Sequence, residues 1–315
     1  MRCEPLLDAF RGSDKIIRIV GHRGARGLFP ENSMVGFENI LKIGVTLIEL
    51  DVVFSKDKTP IITHNLTINP STSRDVDGEF VNENIKVSSL TVEQIKNYEI
   101  GRLDLDSGYG KRFPEQEQLD GIYMPTLQEL FEKMQQPEFE QMRLMVEIKS
   151  EPDYSSQDRE NIASLVTEQI RDANLLNKVL LHSFDWLLLS EFKKKDPEIT
   201  TSFLTKKGYK DESENYHSLQ MYMQDAAGHS NAVPEKINAL GGSVWCPYFK
   251  DITRDKLLSA RENNLIVVVW TLNERDDIEA MIDLGVDAII SDYPPRVMSA
   301  LRANAKHWKN LKTVL

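Results

Sequence analysis

The stretch Leu47-Ile48-Glu49-Leu50-Asp51-Val52-Val53 reads as a buried strand with two unlike faces. Side chains alternate along a strand, so Ile48, Leu50 and Val52 share one face while Leu47, Glu49, Asp51 and Val53 share the other. Two carboxylates therefore point the same way. Val146-Glu147-Ile148-Lys149 repeats the pattern, with Val146 and Ile148 free to pack on helices and Glu147 and Lys149 turned to the opposite side. Helices on one face and charges on the other suit strands of a closed barrel, and charges inside a barrel are costly unless they are paired or bind a cation.

Working outward, residues 16–20 form a first apolar strand cut off by Gly21, and 46–54 a second. A third extended piece at 60–64 follows closely. Between the first two, Pro30-Glu31-Asn32-Ser33 offers a helix cap before Phe37, Ile40, Leu41 and Val45. From 142 onward the rhythm is regular. Strands are predicted at 142–149, 178–183, 199–204, 243–247, 265–270 and 287–291, and helices near 157–173, 185–195, 211–228, 254–263, 275–284 and 295–306. Such alternation argues a parallel sheet with helices outside. With the two early strands the count reaches eight, which closes an α/β barrel of the TIM type. Gly21-His22-Arg23-Gly24 is not the glycine fingerprint of a doubly wound open sheet.

Residues 66–141 interrupt the rhythm with polar loops, a predicted helix at 91–98 and a glycine-rich run at 104–114. Thr126 and Glu129 near its end fit a capping box. The segment is expected to be an insertion after the second strand, covering the barrel mouth of a single catalytic domain spanning 1–315.

Composition excludes several classes. The formal charge is -11, from 49 acidic and 38 basic residues, so a nucleic-acid backbone would be repelled. Two cysteines are too few for a disulfide framework. The first fifteen residues lack the apolar core of a secretory signal, and no run reaches the length of a membrane span. A cytoplasmic location without stable membrane insertion is the expectation.

Glu49, Asp51 and Glu147, at the carboxyl ends of two parallel strands, make a hard-cation site of the Mg2+ or Ca2+ type. An internal salt-bridge cluster with Arg23 and Lys149 is the competing account. His22 and His64 shift the balance, because each follows a strand flanking the acidic pair. Two imidazoles titrating near neutrality suit a general acid and a general base on opposite sides of one bond. With a cation and a guanidinium added, the set meets the needs of an anionic transition state at phosphorus. The implied reaction is phosphodiester hydrolysis.

Nine motifs in order extend this reading: Gly21-His22-Arg23-Gly24 followed by Pro30-Glu31-Asn32-Ser33; Glu49-Leu50-Asp51; Thr63-His64; Pro125-Thr126-Leu127; Val146-Glu147-Ile148-Lys149; Ser183-Phe184-Asp185; Val269-Trp270-Thr271-Leu272-Asn273; and Gly285-Val286-Asp287-Ala288 through Ser291-Asp292-Tyr293-Pro294. Together they resemble the glycerophosphodiester phosphodiesterase family across almost the whole chain. The resemblance implies a TIM barrel with an insertion after the second strand. His22 and His64 would be the acid-base pair, Glu49, Asp51 and Glu147 would hold one divalent ion, and Arg23 and Lys149 would neutralise phosphoryl oxygens. It implies small-molecule glycerophosphodiesters, such as glycerophosphocholine or glycerophosphoethanolamine, cleaved to glycerol 3-phosphate and an alcohol. A lysophospholipase D or phosphoinositide phosphodiesterase on the same barrel is the alternative. Asn65 stands where many members carry Asp, and Ser33 where Thr is usual; both keep hydrogen-bonding capacity.

Some residues carry two readings. Trp270 could wall the substrate or simply pack at the barrel rim. His182 could line the site, with a structural hydrogen bond the preferred account; Asp292 could stabilise the barrel mouth or cap the last helix, with the cap preferred; Phe29 and Phe184 could wall a head-group pocket, with core packing preferred. A phosphate contact from Arg74 is conjecture. His217, His229 and His307 receive no chemistry.

Overall fold

The structure is a computed structural model in which residues 5–13, 15–151, 153–207 and 232–304 are described. Its centre is a ring of eight parallel strands: β1 (Arg18–His22), β2 (Leu47–Phe54), β4 (Arg143–Ile148), β5 (Val179–Ser183), β6 (Thr200–Thr205), β7 (Val244–Pro247), β8 (Ile266–Val269) and β9 (Ala288–Ser291). Pairing of β1 with both β2 and β9 closes the ring. Each lies within two residues of its sequence-predicted position. The one shift that matters is in β1, which runs on through His22 and sets that residue opposite Glu49 in register.

Helices cover the outside. They are α1 (Pro5–Phe10), α2 (Met34–Lys42), α3 (Val92–Ile95), α4 (Leu127–Lys133), α5 (Ser156–Asp172), α6 (Trp186–Lys195), α7 (Ala232–Ala239), α8 (Arg254–Glu262), α9 (Arg275–Leu284) and α10 (Pro294–Ala303). The helix expected at 211–228 lies outside the described residues. Side-chain oxygens cap several N-termini: Ser33 accepts from Gly36 N–H, while Thr126 and Ser155 complete capping boxes with Glu129 and Asp158. At Gly21 the end of the Ile40 side chain of α2 fills the space a Cβ would take, 1.9 Å from its Cδ1, so a larger residue there would force that side chain to move.

The strand faces divide as the alternation demands. Ile48, Leu50, Val146 and Ile148 are fully buried in the core shared with the helices. On the other face, register aligns Asp51, Glu147, His182 and Ser202 across β2, β4, β5 and β6, with His22, Glu49 and Met145 in the adjoining row. Deeper positions on this face are apolar, among them Val20, Leu47, Val268, Ala288 and Ile290. The barrel is thus packed shut at one end and charged at the other.

Past β2 the chain folds back as β3 (Pro60–Ile62), antiparallel to the upper end of β2. The following segment has its own small core of Val53, Ile61, Ile68, Val81, Val87, Ile95, Ile100 and Met124. Leu127, Leu130 and Phe131 of α4 instead pack in the barrel core, so the piece with its own core ends before Thr126. Leu103 and Phe113 from this segment also pack on Tyr293, next to β9.

Candidate active site

The site grows from the turn after β1. Arg23, Ala25 and Asn32 all have positive φ, at 51°, 74° and 52°, a region that non-glycine residues enter at some cost. This backbone aims Arg23 inward. Its N–H donates to Glu49 Oε2 at 3.1 Å, its Nη1 to Glu31 Oε1 at 2.9 Å, and its Nε lies 3.1 Å from Asp51 Oδ2.

Asp51 is closely held. Asn32 Nδ2 donates to its Oδ2 at 3.0 Å, and Lys149 Nζ lies 2.9 Å from Oδ1 and 2.6 Å from Glu147 Oε1. Burial pushes Asp51 upward, but Lys149 and Arg23 outweigh it and hold the carboxyl well below its ordinary range. Glu147 goes the other way. Burial lifts it to about 7 despite Lys149, with Asp51 adding to the rise.

The two sequence-predicted histidines both line one cavity of about 550 Å³, together with Arg23, Arg26, Glu49, Glu147 and Lys149. His22 Nδ1 lies 2.6 Å from Asp292 Oδ1 and its Nε2 3.7 Å from Glu49 Oε2. His64 Nδ1 lies 2.7 Å from Asn65 Oδ1. Burial lowers the proton affinity of His64 well below its ordinary value, and the Arg23 and Lys149 cations lower it further against the pull of Asp51.

Trp270 lines the cavity and also packs: its ring meets Phe184 and Tyr248 at 5.6 Å each, and Nε1 donates to the Cys246 carbonyl at 2.9 Å. Phe184 belongs to the barrel core and also lines the cavity, and Phe29 packs against the same core. Arg74 is engaged elsewhere, by Glu99 and Asp120.

Two preferred readings give way. Asp292 does not cap α10, whose N-terminal turn has no side-chain cap. It instead receives His22, Arg26 Nε at 2.8 Å and Asn273 Nδ2 at 2.7 Å. His182 has no structural hydrogen bond: among the described residues neither ring nitrogen has a hydrogen-bond partner, although the residue is only 1% exposed. Among the described residues, Glu49, Glu147 and His182 form a buried group in which one ligand atom from each lies within 4.8 Å of the others. Asp51 faces Arg23, Asn32 and Lys149.

Sequence reading also missed Tyr109. Its hydroxyl donates to Glu31 and accepts from Arg26 Nη1 at 3.1 Å, so the inserted segment closes a loop of contacts from Arg23 round to His22. No local signal marks it. Arg26 and Asn273 sit in motifs already singled out, and only their direction was hidden.

Comparison with known proteins agrees with this architecture. Residues 22–296 match the glycerophosphoryl diester phosphodiesterase family. A glycerophosphodiester phosphodiesterase of Caldanaerobacter subterraneus subsp. tengcongensis is 26% identical over 284 residues, covering 90% of this chain and 97% of that protein. A human lysophospholipase D, GDPD3, is 25% identical over 316 residues, covering 93% and 88%. A crystal structure from Silicibacter pomeroyi, described as a glycerophosphoryl diester phosphodiesterase, superposes with a TM-score of 0.88 at 33% identity, covering 97% of this chain and 99% of the other. With the match running from His22 to beyond Asp292, and so through every residue of the charged barrel mouth, the chain belongs to the glycerophosphoryl diester phosphodiesterase family, a family of enzymes.

Proposed function

We propose that the chain hydrolyses glycerophosphodiesters to glycerol 3-phosphate and an alcohol, with His22 and His64 as the acid-base pair and one divalent cation, Mg2+ or Ca2+, as cofactor. The observation that carries this reading is the lining of a single cavity by both imidazoles, two buried carboxylates and the Arg23 and Lys149 cations. The donor set fits an ion. Glu49 and Glu147 are 2% and 7% exposed, and only Glu147 has a lysine partner, so negative charge is concentrated there. Asp51 is the third oxygen donor of the proposed set, and its use as a ligand requires the Lys149 ammonium to give way. When bound, the cation neutralises phosphoryl oxygens and polarises the reacting centre.

The chain's own groups divide the remaining work. Asp292 fixes His22 so that Nε2 faces the cavity, which suits this imidazole to take a proton from the attacking hydroxyl or water. Arg23 and Lys149 bind the phosphodiester anion. Its charge offsets theirs, raises the proton affinity of neighbouring His64, and lets that imidazole carry the proton the departing alcohol needs. Trp270 and Phe184 wall the cavity beside the substrate. Release of glycerol 3-phosphate from a panel of glycerophosphodiesters, with and without EDTA and with Mg2+ or Ca2+ restored, tests the reading. No release from any member under any metal condition would overturn it.

A second reading, cleavage of lysophospholipids to lysophosphatidate, is favoured by the human relative's activity as a lysophospholipase D. Lysophosphatidylcholine in the same panel separates the two. No helix among the described residues is long and apolar enough to cross a membrane.

A further inference from the structure

His182 is a buried imidazole without a purpose in the scheme above. It stands one residue before the end of β5, 1% exposed, and neither Nδ1 nor Nε2 has a hydrogen-bond partner among the described residues. Buried polar groups are almost always paired, because an unpaired one forfeits its hydration without return. The nearest carboxylate atom, Glu49 Oε1, is 3.6 Å from Nε2, too far for a hydrogen bond. Yet the ring is aimed. Register places His182 beside Glu147, and one of its nitrogens lies with carboxylate oxygens of Glu49 and Glu147 inside 4.8 Å. The neighbouring inward position on β6 is Ser202, whose hydroxyl does not bond to the ring.

We propose that His182 is a nitrogen ligand of the divalent cation, joining Glu49 and Glu147, and that it tunes the site toward borderline transition ions such as Co2+ and Zn2+. The proposal rests on the metal-dependent reading above. An imidazole without a hydrogen-bond partner beside two buried carboxylates gives the ion a further donor, one that needs no movement of Lys149 away from Asp51. Imidazole favours Co2+ and Zn2+ far more than Mg2+ or Ca2+, which prefer oxygen. The residue therefore bears on which ion is held, rather than on whether one is.

The test is metal binding, independent of turnover. The full chain, stripped with chelator and dialysed, is titrated calorimetrically with Co2+, Zn2+, Mg2+ and Ca2+, alongside His182→Gln and Cys246→Ser, the latter removing a buried thiol as a competing soft donor. His182→Gln is expected to weaken Co2+ and Zn2+ at least about tenfold, the least that even an outer partner of a ligand contributes. It should change Mg2+ and Ca2+ by less than about threefold, because an amide oxygen still serves a hard ion. Cys246→Ser should leave all four unchanged. In the Co2+-loaded wild type a hyperfine-shifted, exchangeable imidazole N–H proton is expected by NMR, persisting in His22→Ala and His64→Ala. That signal decides the matter should His182→Gln fail to fold. Equal weakening of all four ions, no weakening of any, loss in Cys246→Ser instead, or absence of the proton signal overturns the His182 assignment while metal dependence stands. Failure of the wild type to bind any of the four overturns both.

Discussion

Asp292 Oδ1 lies 2.6 Å from His22 Nδ1, joining two residues that are 270 positions apart. The contact closes the barrel chemically where β1 and β9 close it by backbone pairing, and it fixes which imidazole nitrogen faces the cavity. Asp292→Asn should lower kcat by about two to three orders of magnitude with little change in KM, as expected when a base loses its orienting carboxylate. Steady-state kinetics check this, and an unchanged kcat would remove Asp292 from the machinery.

Either histidine alone should be indispensable. His22→Ala and His64→Ala are each expected to cost about two to four orders of magnitude in turnover with the fold intact by circular dichroism. A variant that retains near-normal rates has been given the wrong role.

Chelation should abolish activity, and Glu49→Gln should raise the concentration of Mg2+ or Ca2+ needed for half-maximal rate, because an amide is a poorer ligand for a hard cation than a carboxylate. Full activity in EDTA is the contrary result.

Lys149 bridges Asp51 and Glu147, so removing it leaves two buried carboxylates without their shared ammonium. Lys149→Met should destabilise the metal-free protein by about 3–5 kcal/mol in urea unfolding, the usual cost of breaking a buried pair from one side. Added divalent cation should return part of that loss. A variant as stable as the wild type in EDTA would contradict this account of the acidic cluster.

Acid should act through Asp292. Burial raises its proton affinity, but Arg26 and His22 prevail and hold the carboxyl far below its ordinary range. A carboxyl depressed in the folded state contributes stability that is present above its unfolded value near 3.9 and lost as pH falls below it. Stability of the wild type should therefore decline more steeply below about pH 4 than that of Asp292→Asn, measured by thermal unfolding across pH.

Much of the barrel was legible in the chain because its strands obey a period of two and its helices a period near four. Leu47 to Val53 alone separates a helix-facing side from a charged side, and both appear as expected. For Asp292 the capping reading outweighed the mouth-stabilising one because Tyr293 and the prolines of α10 give it a capping context, while the atoms that bind it come from β1, the turn after it and the loop after β8. Tyr109 could not be anticipated at all, since its partners Arg26 and Glu31 lie about eighty residues away.

The sequence by itself determined which residue types stand at strand ends and which face they share, because alternation and chain reversal are local properties of the backbone. Only the tertiary structure decided which charges meet. Closing the ring fixed the register between strands, and register set Glu147 beside His182 and His22 beside Glu49, neighbours that no local pattern along the chain specifies.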